Sequence, residues 1–78
     1  MSQGEYSVCQ FFEDGSHEYV QRYVSVQEAV EAAEHYCHSV AAQMGITQRV
    51  IITDNGDCIT FEWKYGKGVI FPPKGEDK

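Results

Sequence analysis

Apolar and polar positions alternate in several short stretches of this chain and follow a helical period in one long one. Tyr6–Phe12 and His17–Val24 are rich in aromatic and β-branched residues and flank Glu13-Asp14-Gly15-Ser16. Asp-Gly favours a two-residue type I′ turn, which needs positive φ at both central positions, so the spacing predicts a hairpin. Centring the turn on Asp14-Gly15 sets Phe12 opposite His17, Gln10 opposite Tyr19, Val8 opposite Gln21 and Tyr6 opposite Tyr23. The other face then pairs Cys9 with Val20, Phe11 with Glu18 and Ser7 with Arg22.

Behind this hairpin, Ser25-Val26-Gln27-Glu28 reads as a capping box, in which serine and glutamate satisfy each other's backbone N–H groups. Val26, Ala29, Val30, Ala33, Tyr36, Cys37, Val40, Ala41 and Met44 then recur at helical spacing, and Gly45 supplies a stop. One helix over about 25–44 is expected. Gln27, Glu31, Glu34, His35, His38 and Ala42 make up its opposite, mainly polar face.

Arg49–Asp54 and Asp57–Tyr65 flank Asn55-Gly56, a strong hairpin signal. The register this implies sets Val50 against Phe61 and Ile52 against Ile59, with Gln48 near Trp63, on one apolar face. The other face pairs Arg49 with Glu62, Ile51 with Thr60 and Thr53 with Cys58. A one-residue slip would bury Arg49 and Glu62, so the register is well determined. Val69-Ile70-Phe71 adds a short fifth strand or an extension beyond Tyr65-Gly66-Lys67-Gly68. The prediction is an α+β domain of order β-β-α-β-β, a four-stranded sheet with the helix across one face. A right-handed crossover sets the second and third strands, or the first and fourth, parallel. The strand order 2-1-4-3 is expected. Residues 1–78 form a single domain in this reading, with an ordered core over about 6–71 and frayed tails at 1–5 and 72–78.

Composition narrows the class. With 42 % hydrophobic and 13 % aromatic residues, the chain has enough apolar surface to offset the entropy of ordering. At 78 residues it buries only about 60 % of its unfolded surface, so its core is thin. The formal charge of -6 is carried by residues 1–48, where seven acids face Arg22 alone. Residues 49–78 balance five acids with five bases. Phosphate backbones are repelled by such a field, so nucleic acid is an unlikely partner. Cys9, Cys37 and Cys58 form an odd set without a C-x-x-C pair, which fits a reducing cytoplasm better than a disulfide framework. No segment has the apolar run of a signal peptide or membrane span.

Few patterns point to chemistry. Glu31/His35 and Glu34/His38 are i,i+4 pairs, but a zinc-protease helix needs histidines four apart and here they are three apart. Asp54-Asn55-Gly56-Asp57 fails the calcium-loop spacing and reads as a turn. Cys9 and Cys37 read as buried structural thiols. No phosphate loop, nucleophile elbow or acid–base–nucleophile set is present, so no catalytic residue, cofactor or metal is expected.

The remaining candidate is the face of the first hairpin bearing Tyr6, Phe12, His17, Tyr19, Gln21 and Tyr23, along with Val8 and Gln10. If Cys9, Phe11, Val20 and Val24 pack under the helix, this face is left outside with the composition of an interface core. In the reverse arrangement Tyr6, Val8, Phe12 and Tyr19 become core, and Glu18 and Arg22 are solvated.

Three segments, Ser25–Val30, Arg49–Asp57 and Phe61–Gly66, resemble short proteobacterial proteins of unknown function. That resemblance implies the same β-β-α-β-β order and carries over no function. In size, acidity and element order the chain is also similar to some small phage-borne anti-defence proteins. The expectation is a non-enzymatic protein-interaction module, acting as a homodimer or on a protein partner through the aromatic face or a sheet edge. The alternative is an acidic decoy in which Glu28, Glu31 and Glu34 occupy the nucleic-acid site of a basic partner.

Overall fold

The computed structural model describes residues 4–56 and 58–71. Along the chain these form β1 (Tyr6–Phe12), β2 (His17–Val24), α1 (Val26–Cys37), α2 (Val40–Gln43), β3 (Thr47–Thr53), β4 (Ile59–Lys64) and β5 (Gly68–Phe71). The α+β class and the β-β-α-β-β order are as expected, and the short fifth strand is present. Residues 1–3 and 72–78, most of the expected tails, lie outside the described residues.

The five strands make one antiparallel sheet of order β2-β1-β3-β4-β5, which corrects the expected order 2-1-4-3. β2 and β3 do run in the same direction, but β1 lies between them. The reason is visible in β3. Val50, Ile51 and Ile52 are consecutive and all buried, so this strand needs neighbours on both sides and cover on both faces. Order 2-1-4-3 would have left it at an edge.

Among the described residues, only one face of the sheet carries helices. α1 packs across β1, β2 and β3, and the small side chains of Ala29 and Ala33 let it approach closely. Val8, Val50, Ile52 and Cys37 complete this core, with Tyr6, Val20, Val24, Tyr36, Phe61 and Trp63 half-buried around it. The largest fully buried side chains are only Val8, Val50 and Thr47. At roughly 1.5–3 kcal/mol for each large apolar side chain fully buried, the bulkier aromatics contribute less than their size allows. Buried Thr47 donates its hydroxyl proton to the Gln10 side-chain oxygen (3.1 Å), and Gln10 donates in turn to Glu18 (3.4 Å). This pair of buried polar groups is therefore satisfied.

The capping box at Ser25 is formed. The Glu28 N–H donates to Ser25 Oγ (3.1 Å), and the Ser25 N–H donates to Glu28 Oε1 (3.1 Å). The single helix expected over 25–44 is instead two. Ser39 breaks it by adopting extended φ/ψ and accepting from the Ala42 N–H, which caps α2 afresh. Helical phase restarts there, so Ala42 is buried while Val40 and Met44 are exposed, the reverse of the continuous-helix expectation. α2 ends as foreseen at Gly45. With φ +84, Gly45 donates to Ala42 O and the Ile46 N–H donates to Ala41 O, the paired bonds of a Schellman stop.

Both hairpins depart from their expected registers, by different amounts. In the first, the Gly15 N–H donates to Phe12 O and the Phe12 N–H to Ser16 O. The loop thus holds three residues, with Gly15 at φ +90 taking up the reversal. Phe11 rather than Phe12 faces His17, and Cys9 faces Tyr19. Two bulges in β2 follow, one at Val20 and one opposite Ser7, so that Val8 still faces Gln21 but Tyr6 faces Val24. At the second bulge Tyr23 takes φ +58, and its N–H donates to Ser7 Oγ (3.4 Å).

In the second hairpin the Asp54 carboxylate accepts from the Gly56 and Cys58 N–H groups (2.9 and 3.0 Å), making a longer loop than Asn55-Gly56 alone. Val50 faces Trp63 and Ile52 faces Phe61, a shift of two residues. Because side chains alternate with period two, Val50, Ile52, Phe61, Trp63, Arg49 and Glu62 keep their expected faces, whereas a bulge at Thr60 sets Ile59 opposite Thr53 instead of Ile52 and leaves it 37 % exposed.

Candidate interaction surfaces

The sheet face without helices carries side chains of Cys9, Phe11, His17, Tyr19, Arg22, Tyr23, Arg49, Ile51 and Glu62. Several of them form a stacked run across the sheet. Arg22 lies over the rings of Tyr19 and Tyr23, 4.6 and 5.3 Å from their centroids. His17 meets Tyr19 edge-on at 6.1 Å and tilts against Phe11 at 5.5 Å. Arg49 sits 5.0 Å from the Phe11 centroid and pairs with Glu62. The expected Arg49–Glu62 pair is thus present, as a diagonal contact rather than a direct one.

Beneath this run Cys9 and Ile51 are buried at 2 and 8 % exposure, although no helix covers them. Tyr19 and Tyr23 remain 45 and 56 % exposed. Arg22 has no carboxylate partner among the described residues, whereas Arg49 has Glu62. Burial raises the Cys9 thiol above its usual pKa, and it raises Cys37 on the buried side of α1 to about 12, with Glu34 adding to the effect. Both thiols stay protonated at neutral pH and are poor nucleophiles. Cys58 is free and exposed.

The one-residue slip in the first hairpin divides the expected interaction set. His17, Tyr19 and Tyr23 stand on the outer face. Tyr6 packs on the core under α1. Gln21 lines a groove of about 410 Å³ against α1, with Glu28, Glu31, Ala32, His35 and Tyr36. Phe12 is half-buried at the end of β1, opposite Thr47. Neither arrangement drawn from the sequence is realised whole: Tyr6 and Val8 come under the helix from one, Val20 and Val24 from the other. Phe11 and Arg22 stand outside as only the reverse arrangement had them, and Arg49 keeps its expected polar face; that they share this face with His17, Tyr19 and Tyr23 was missed. The signal that finds them is Gly15 as the third residue of a Glu13-Asp14-Gly15 loop.

On the acidic helix face, Glu28, Glu31 and Glu34 are all exposed, but Glu28 is engaged in the cap at Ser25. His38 turns its Nδ1–H to Glu34 O (2.8 Å), while His35 packs edge-on against Tyr36. The imidazoles diverge, and no metal-ligating cluster occurs among the described residues. A second groove, of about 360 Å³, opens where α1 stops short of β4 and β5, lined by Cys37, Phe61, Trp63 and Val69 with Glu34 and His38 at its rim.

The sheet edges are poor templates for strand addition. β2 is bulged twice and β5 has four residues, and both features hinder pairing with another chain. No helix among the described residues is long and apolar enough to cross a membrane. No family model, curated protein or solved structure matches this chain.

Proposed function

We propose that this chain is a non-enzymatic, cytoplasmic protein-interaction module that docks through the outer face of its sheet, around Phe11, His17, Tyr19, Arg22 and Tyr23. The observation that carries the reading is the stacked aromatic–arginine run on the face that no helix covers. Tyrosine and arginine are the residues most enriched among the energetic anchors of protein interfaces, because they offer large rigid contact area with a polar end. Their mutual stacking holds the rings in place, which lowers the entropy lost when a partner binds. A photo-crosslinking residue at position 19 in the native cell should give protein adducts, and one at Glu31 on α1 should not. Adducts at position 31 with none at position 19 would sink the proposal.

One observation favours a second reading, the acidic decoy. Glu31 and Glu34 are exposed on α1 and have no cation partner among the described residues. That reading expects adducts at Glu31 and a partner affinity that falls steeply with added salt.

A further inference from the structure

Resting on that reading, we infer that the occupant of the outer face is a second copy of this chain, packed sheet against sheet about a two-fold axis. Size is the first argument. Strands spaced about 4.8 Å apart, with a rise of about 3.3 Å per residue, give the five strands of seven, eight, seven, six and four residues a projected area of roughly 500 Å². Side chains standing on that area enlarge it toward the roughly 800 Å² per partner of a standard interface. That share is about a sixth of the 5118 Å² surface.

Charge is the second. Arg22, Arg49 and Lys64 on this face are matched by Glu62 on it and by Glu5 and Asp54, which line the pocket beside Arg22. The face is balanced, although the chain as a whole carries -6. Glu28, Glu31 and Glu34 lie on α1, across the sheet. Two copies meeting by their outer faces therefore turn these acidic helices away from one another, whereas contact through the helices would set like charges together. The bulged and short edges leave the face as the route to self-association. A core whose largest fully buried side chains are valine and threonine gains from the added layer, as small domains commonly do from oligomerisation.

Sedimentation velocity over a concentration series tests this. The wild-type chain should pass from monomer to dimer mass as concentration rises. Tyr19→Glu should raise the dimer dissociation constant by about tenfold or more, and Tyr19→Ala by less. Val40→Ser on exposed α2 should leave it unchanged, with far-UV circular dichroism confirming that each variant is folded. A strict monomer at every concentration overturns the second copy; an adduct from position 19 to a different protein would then leave the docking reading standing. A dimer indifferent to Tyr19→Glu but weakened by substitutions on α1 overturns both.

Discussion

The two hairpins of this sheet carry the same kind of turn signal, Asp14-Gly15 in one and Asn55-Gly56 in the other, and both resolve it differently from the rule. In the second, Asp54 gathers two N–H groups and lengthens the loop, and the strands shift by two residues. Val50, Ile52, Phe61 and Trp63 still meet the core, because an even shift leaves these side chains on their own faces. In the first, the loop gains one residue and the partners near the turn shift by one. His17 and Tyr19 then change sides relative to β1, and the two bulges, at Val20 and opposite Ser7, return Val20 and Val24 to the helix side. Faces, rather than partners, decide what a strand buries, and parity alone separates a harmless slip from one that redraws a surface.

Three measurements press on this contrast. The largest effect is expected in the strand that kept its faces. Ile52→Ala should cost about 2–5 kcal/mol in chemical unfolding, and Val20→Ala in bulged β2 only roughly 1 kcal/mol. Equal losses would mean that β2 is packed as firmly as β3. Next come the turn glycines. Gly15 holds φ +90, so Gly15→Ala should cost about 1–2 kcal/mol. Gly56 is not at positive φ, and a Cβ there meets nothing closer than Asp54 Oδ1 at 3.6 Å, so Gly56→Ala should stay within about 0.5 kcal/mol. A costly Gly56→Ala would restore the type I′ turn to the second hairpin.

The smallest effect concerns Asp14. The Ser16 hydroxyl and N–H donate to its carboxylate (2.6 and 2.9 Å) and hold its pKa below the usual value. A depressed carboxyl stabilises the fold above its ordinary pKa and loses that contribution as pH falls through the lowered value. Carboxyl NMR titration of Ser16→Ala should move Asp14 upward; an unmoved titration would show that the loop bonds are not formed in solution.

What was legible in the sequence was local. The limits of β1 and β2, the cap at Ser25 and the stop at Gly45 each depend on a few neighbouring residues, and each is found where expected. The α2 restart at Ser39 was obscured because an apolar stripe runs on through Val40, Ala41 and Met44, and a serine interrupts such a stripe only when its side chain caps. Strand order was not legible, since no local pattern says which strand β1 will choose as its second neighbour. The outer face was half legible: its tyrosines were named, but a single residue of turn length separated them from Arg22 and Phe11, which only the reverse arrangement placed outside.

The place of β1 between β2 and β3 has a consequence for synthesis. On the ribosome β1 emerges first and finds β2 at once, but its other edge belongs to β3. The buried bond from Thr47 to Gln10 joins residues 37 apart. At a translation rate of roughly 5–20 residues per second, that distance is about 2–7 s of elongation. For those seconds β1 is paired along one edge only, and although it is made before its partners in this sheet it is among the last of them to be enclosed.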